Sequence, residues 1–273
     1  MADYRLSGHT TEVSIYVPDG DSLGRTFSRS TTAPLNTTQW NLVRTGGANT
    51  PTITSNSLIV SVYRDDSAPS LYSGRVFLQF PIPSNISRLD SPPQLFLNCT
   101  GIQGNATVVP TSIAAAGISV PWDTSNTTRA VSAVQISDSG KYIDDNSVTI
   151  EAGRNFITLN ETAKAHAVMG GVISNNVRYL TIAIVDYTND WTGDLPSNGT
   201  DNMISFTGGG SGNGAQLILR KPWFVNDRGN ELAVGDDFII KAFETGVNQI
   251  GRSVPQLPFS TAIKGPMSLR GKN

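Results

Sequence analysis

The chain has 273 residues, a net charge of −2, 38% hydrophobic residues and only 15% charged ones. That length suffices for one large β-sandwich, or for one domain of ordinary size with extensions. The charge balance offers no basic surface for nucleic acid. The Ser-, Thr-, Asn- and Gly-rich remainder argues against a helical protein, and the single Cys99 excludes an intrachain disulfide and a cysteine-based metal site.

The stretch from Met1 to His9 has no basic region followed by an apolar run, so no signal peptide is expected. No segment approaches the roughly 18 apolar residues of a membrane span, so the expected product is cytosolic and free of membrane. Val13, Ile15 and Val17 alternate as in a strand that closes at Pro18-Asp19-Gly20. Residues 19–56 are polar, with one strand expected at 39–44 and a turn at Gly46-Gly47. Leu58, Val60 and Val62 alternate with Ile59, Ser61 and Tyr63 until Arg64-Asp65-Asp66 ends the strand. Residues 75–80 form a nearly continuous apolar run ending at Pro81, the pattern of a strand covered on both faces.

Pro92-Pro93 introduces a strand at 94–99, and shorter ones are expected at 107–109, 118–120, 131–136, 147–150 and 155–159. One helix is predicted, starting at Asn160. Asn can cap it, Glu161 favours its first turn, and Gly170-Gly171 ends it. Residues 179–185 are the most apolar strand. Residues 203–207 and 215–220, joined by the glycine-rich loop 208–214, read as a terminal hairpin. A further hairpin is expected in 223–245, with Phe238-Ile239-Ile240 as its core.

From Gly246 onward there is no acidic residue, while four basic ones (Arg252, Lys264, Arg270, Lys272) and three prolines occur. Such a segment cannot bury enough apolar area to order itself. Ile250 and Val254 are nonetheless spaced through it like anchors, together with a set of docking residues: Arg252, Leu257, Phe259, Ile263, Lys264, Met267, Leu269 and Arg270. An extended arm that orders on a neighbouring chain is expected, a tail without order being the alternative. The chain divides into an N-terminal strand and arm region (1–56), a β-sandwich domain (57–221), and a C-terminal hairpin with docking arm (222–273).

Several segments in this order resemble the DNRLRE-type domain, a β-sandwich related to carbohydrate-binding jelly rolls. They are Ser57-Leu58-Ile59-Val60-Ser61-Val62, the run from Gly74 to Pro83 containing Arg75-Val76-Phe77-Leu78-Gln79-Phe80, and then Ile86 and 94–97. Later come Asn155 to Thr162 with its short helix, 180–185, Ile204-Ser205-Phe206 and Gln216-Leu217-Ile218-Leu219. The resemblance covers roughly residues 57–221. Members typically carry an Arg-x-Leu-Leu-x-Phe strand and an Asp-Val-Thr junction, where this chain has Leu159-Asn160-Glu161-Thr162. Of the tryptophan-rich middle only Trp122 stands. What the resemblance implies is a fold, found on bacterial surface proteins and phage virion proteins as adhesive or structural modules; fold alone does not fix activity.

Motifs for chemistry are sparse. His9 and His166 are far apart, and no Gly-x-Ser-x-Gly elbow occurs; Gly209-Gly210-Ser211-Gly212-Asn213 misses the last glycine and leads into a strand. For the same reason the loop is no phosphate cradle, which needs a helix just after it. Asp pairs stand at 65–66, 144–145 and 236–237, with Asp19-Gly20-Asp21 as another. Asp144-Asp145-Asn146-Ser147 comes nearest to a calcium loop but lacks the alternate spacing of one. A two-carboxylate glycosidase pair is assembled in space and leaves no spacing to read. Trp122, Tyr187, Trp191 and Trp223 stand beside polar loops; Tyr187, Trp191 and Trp122 are candidates for stacking on a glycan, or for capping the core. Seven Asn-x-Ser/Thr sequons, at Asn36, Asn85, Asn98, Asn105, Asn126, Asn160 and Asn198, are read as compositional, against about four expected by chance.

The expected fold is an all-β, jelly-roll-like antiparallel β-sandwich with one short helix and extended terminal arms. The expected function is non-enzymatic: a virion structural protein of a tailed phage, of head-decoration (cement) or fibre type, made in the host cytoplasm. Its partners would be major capsid, tail or fibre subunits and its own copies, that class implying a trimer. No cofactor, metal or nucleic acid is expected. A carbohydrate-binding or adhesive surface module is the alternative, and a polysaccharide depolymerase stands third.

Overall fold

The computed structural model describes residues 9–16, 25–32, 34–45, 52–54, 58–83, 86, 88–113, 134–169, 172–174, 177–208, 214–225 and 231–233. Fourteen strands and two α-helices follow in order: β1 (His9–Tyr16), β2 (Arg25–Thr31), α1 (Thr37–Thr45), β3 (Thr52–Thr54), β4 (Leu58–Asp65), β5 (Ser70–Pro83), β6 (Gln94–Gln103) and β7 (Thr107–Ser112). Then come β8 (Val148–Thr149), β9 (Gly153–Thr158), α2 (Glu161–Val168), β10 (Val172–Ser174), β11 (Val177–Asp186), β12 (Asp201–Phe206), β13 (Gln216–Val225) and β14 (Glu231–Ala233). The fold is all-β, antiparallel and sandwich-like. The expected 118–120 strand, the Phe238–Ile240 core and the whole segment 246–273 lie outside the described residues.

Residues 15–85 and 92–218 form one compact unit. In it the strands run β6-β12-β4-β5-β11-β7-β8, with β9 on β6, β2 on β5 and β10 on β11. Two strands carry the architecture by changing partner along their length. On one side β5 pairs with β4 through Ser70 to Gly74 and then with β11 through Val76 to Pro83. Its other side pairs with β2 only as far as Phe77. Past that point, among the described residues, β5 pairs with β11, and Pro81 and Pro83, which lack an N–H, continue the strand instead of ending it at 81 as the sequence suggested. Val76, Phe77, Leu78, Phe80 and Ile82 are all sealed from solvent, so the continuous apolar run does mark a strand covered on both faces.

The second such strand is β6, and it corrects the terminal hairpin. β12 pairs with β6 residues 103 to 99, and β13 with residues 96 to 94. β9 pairs with residues 94 to 99 and must take the opposite side. Consequently β12 and β13 are successive stretches along one side of β6, and they do not pair with each other as a hairpin would. Thr207 N donates to Asn98 O at 2.8 Å, and Asn98 Nδ2 donates to Thr207 Oγ1 at 2.8 Å, fastening the chain to β6 just past the end of β12.

The expected strand at 39–44 is helix α1. Its Thr, Trp and Val content suits a strand, but Asn36 and Gln39 stand at capping-box spacing. The Asn36 side chain accepts from Gln39 N at 3.0 Å, and Trp40 N donates to Asn36 O at 2.9 Å. Trp40 and Val43, three apart on one helix face, pack with Val62 and Leu71, and Leu35 and Leu195 lie against this cluster. The predicted helix is α2, capped by Asn160 accepting from Ala163 N at 3.1 Å. Among the described residues two short α-helices therefore stand where one was expected. β2 and β3 emerge from the polar stretch that gave no strand signal; of the strand expected at 131–136, residues 131–133 lie outside the described residues and Val134 makes an isolated bridge to Ile113.

The second unit takes in, among the described residues, 9–14, 86, 88–91, 219–225 and 231–233. In it Trp223 to Val225 of β13 pair with β14 from Ala233 to Glu231, so a hairpin does form after residue 222. Asp90 N donates to Arg220 O at 2.7 Å, and Ile86, Leu89 and Leu219 are buried.

Candidate functional site

Two places in the larger unit concentrate charged and aromatic groups. The first is the fork where β5 passes from β4 to β11. Ser73 and Arg75, two residues apart on one face of β5, meet the π-helical turn Tyr187–Trp191 that follows β11. Asp190 in that turn is fully buried. Arg75 binds it as a fork, Nε to Oδ2 at 2.6 Å and Nη2 to Oδ1 at 2.6 Å, while Ser73 Oγ donates to Oδ2 at 3.0 Å. Arg75 Nη2 also donates to Arg44 O at 2.6 Å, and Arg44 Nε donates to Asp190 O at 2.7 Å. Burial holds the Arg44 guanidinium below its ordinary pKa, against the attraction of Asp190. The knot thus ties α1, β5 and the turn together; both carboxylate oxygens of Asp190 are occupied, so it acts as a fastening and not as a base.

Asp186 ends β11 and caps the same turn, its Oδ2 accepting from Asn189 N at 2.7 Å and from Asp190 N at 3.4 Å. Burial pushes its carboxyl up to about 6, the charge of Asp190 acts the same way, and the turn's amides oppose both. A raised folded-state pKa means that the folded protein holds this proton more tightly than the unfolded chain does. Its stabilising contribution is complete below pH 3.8 and is lost as pH rises through 6, a change of about 3 kcal/mol. Asp186→Asn is therefore expected to raise stability at pH 8 relative to the parent and to leave little difference at pH 4. Urea unfolding of both proteins at the two pH values checks this; an equal difference at both would contradict it.

The second place is a groove of about 330 Å³ beside β9. The loop 141–146 forms one wall and is pinned from several sides. Tyr142 N donates to Pro110 O at 2.9 Å, Asn160 N to Tyr142 O at 2.8 Å, and Asn160 Nδ2 to Lys141 O at 3.1 Å. Tyr142 OH bonds His166 Nδ1 at 2.9 Å; burial raises the phenol pKa and lowers that of the imidazole, so both are neutral at pH 7 and serve to seat α2. Lys141 Nζ is held by Asp145 O at 3.2 Å and by Asp138 at 3.5 Å. Asp144 and Asp145 stand exposed on the rim. The other wall is β9, whose Asn155 and Ile157 turn inward while Arg154, Phe156 and Thr158 turn outward. Phe156 is 56% exposed, and its ring centroid lies 5.1 Å from that of Phe96. Among the described residues β9 pairs with β6 alone, so its outer edge carries open backbone groups. Apolar walls, an acidic rim and an open strand edge suit an extended, basic, apolar chain segment.

The sequence-derived candidates fall as follows. Tyr187 and Trp191 are the first and last residues of the π-helical turn, both part-exposed, with Trp191 O accepting from Arg44 Nη2 at 3.4 Å. Trp122 and the arm residues lie outside the described set. Among the described residues no group of three or more His, Cys, Asp or Glu could hold a metal ion, and no helix is long and apolar enough to cross a membrane. Several sequon asparagines serve the fold: Asn36 and Asn160 cap helices, Asn105 Oδ1 accepts from Thr107 N, and Asn198 Oδ1 accepts from Asp66 N. Sequence reasoning missed the Arg75–Asp190 pair, whose members are 115 residues apart. It also missed Phe156, although strand parity carried the signal: if Asn155, Ile157 and Leu159 face inward, Phe156 faces out. No protein-family model matches the chain, and no curated protein matches it.

Proposed function

We propose that this protein is a non-enzymatic structural component of a virion, of decoration or fibre type, that joins its assembly through the C-terminal segment 246–273. The observation that carries the scaffold reading is the chemistry of the fork. Its buried charges, Arg75 and Asp190, satisfy each other and the backbone, with Arg44 beside them, and so fasten strands to a helix. The assembly reading draws on the segment itself, with four basic residues, no acidic residue and recurrent apolar positions. Removing residues 246–273 is the test. Incorporation into particles, or binding to isolated capsid and tail subunits, is expected to be lost while the circular dichroism of the body is unchanged. Unchanged affinity would refute the role of the segment.

Glycan binding is the second reading, favoured by the two part-exposed rings of Tyr187 and Trp191 in one turn. Retardation on glycan gels that disappears in Trp191→Ala would support it, and the absence of retardation on any glycan would count against it.

A further inference from the structure

We infer that the groove beside β9 receives the basic C-terminal segment, residues 246–273, of a second copy of this chain. This inference rests on the assembly reading above and names the surface that the segment would use.

Charge complementarity is the first argument. The segment carries +4 and the whole chain −2, so residues 1–245 carry −6. In the groove the acidic excess is presented by Asp144 and Asp145 on the rim, whereas the nearby Lys141 is already held by Asp138 and the Asp145 carbonyl. Arg154 also faces outward, two positions from Phe156 along β9 and not in the groove wall.

Shape and backbone chemistry make the second argument. β9 offers an open edge along which an extended segment can add as a strand. Ile143, Val148, Phe156 and Leu159 supply apolar contacts beside that edge. In the segment, Leu257 and Phe259 are two residues apart and share a face when extended. Pro258 between them has no N–H, so its nitrogen must face away from any partner strand. Exposed Phe156 then becomes the anchor that an incoming Phe259 or Leu257 covers.

Reach makes the third. Twenty-eight residues with three prolines extend to roughly 85 Å at about 3.1 Å per residue, against a radius of gyration of about 18 Å for a compact body of this size. A neighbour's groove is within range, and reciprocal exchange between copies closes a symmetric assembly.

The test uses the full chain in sedimentation velocity over a concentration range at low and high salt. Self-association is expected, weakening as salt rises. The pair Asp144→Lys and Asp145→Lys should weaken it about tenfold or more, as loss of two rim pairs and their reversal to repulsion implies. Arg252→Glu with Lys264→Glu should do the same, and combining all four should restore much of the loss. Phe156→Ser, at an exposed position, should weaken association without unfolding the body. The inference is overturned if the chain is monomeric throughout, which includes the segment lying in its own groove, or if the Asp pair's reversal leaves association intact. If removing 246–273 abolishes association while the groove variants do not, the segment docks elsewhere and only the groove is refuted. If neither change matters, the segment does not join copies of this chain and the inference falls, while the assembly reading is decided separately by the incorporation test above.

Discussion

Asp190→Asn is expected to lower the unfolding free energy by about 3–5 kcal/mol, because it strips a buried arginine of its counter-charge. Arg75 and Asp190 are both sealed from water at the fork, and the chain removes them from solvent only because each is the other's partner. The pair as a whole stabilises little relative to an apolar replacement of similar volume. Combining Asp190→Asn with Arg75→Met should therefore cost clearly less than the sum of the two single changes, with a coupling of about 2 kcal/mol or more. Equilibrium urea unfolding of the four proteins at pH 7 measures it. Simple additivity would show that the carboxylate and guanidinium do not share one site.

Trp40→Ala is expected to cost a similar amount, about 3–5 kcal/mol, through the cavity left between α1 and the sheet. Trp40 is fully buried against Val43, Val62 and Leu71, and among the described residues its Nε1 has no hydrogen-bond partner. Trp40→Phe keeps a ring in the site and removes the unpaired donor, so it should cost only about 1–2 kcal/mol. Asn41→Pro, inside α1, should cost about 3 kcal/mol or more, because it removes one i→i−4 bond and clashes with the carbonyl that accepted it. Thermal unfolding of these variants measures the three costs.

Where two-residue alternation or a near-continuous apolar run was present, the sequence was readable. Leu58, Val60 and Val62, the run 76–80 and the run 180–185 all gave strands because each must bury a full face. Asn160 with Glu161 announced α2 through local capping alone. The misreadings had a common cause: they needed information from distant partners or a cap that composition obscured. α1 is built from β-favouring Thr, Trp and Val, and only the Asn36–Gln39 spacing betrayed it. β12 and β13 looked like a hairpin because a glycine loop joins them, yet each found its partner in β6, about a hundred residues earlier. The fork was invisible for the same reason, since nothing near Arg75 in sequence points to Asp190. Of the candidate site residues, Tyr187 and Trp191 proved to share one turn, while Phe156 became legible only through the parity of its strand.

The assembly account turns on whether residues 246–273 gain order from other copies. Hydrogen–deuterium exchange of the full chain, followed by peptide over a hundredfold range of protein concentration, reads this directly. Amides in 246–273 and along β9 should gain protection together as concentration rises, and lose it together in high salt. Protection that is the same at every concentration, or that never appears, would contradict the account.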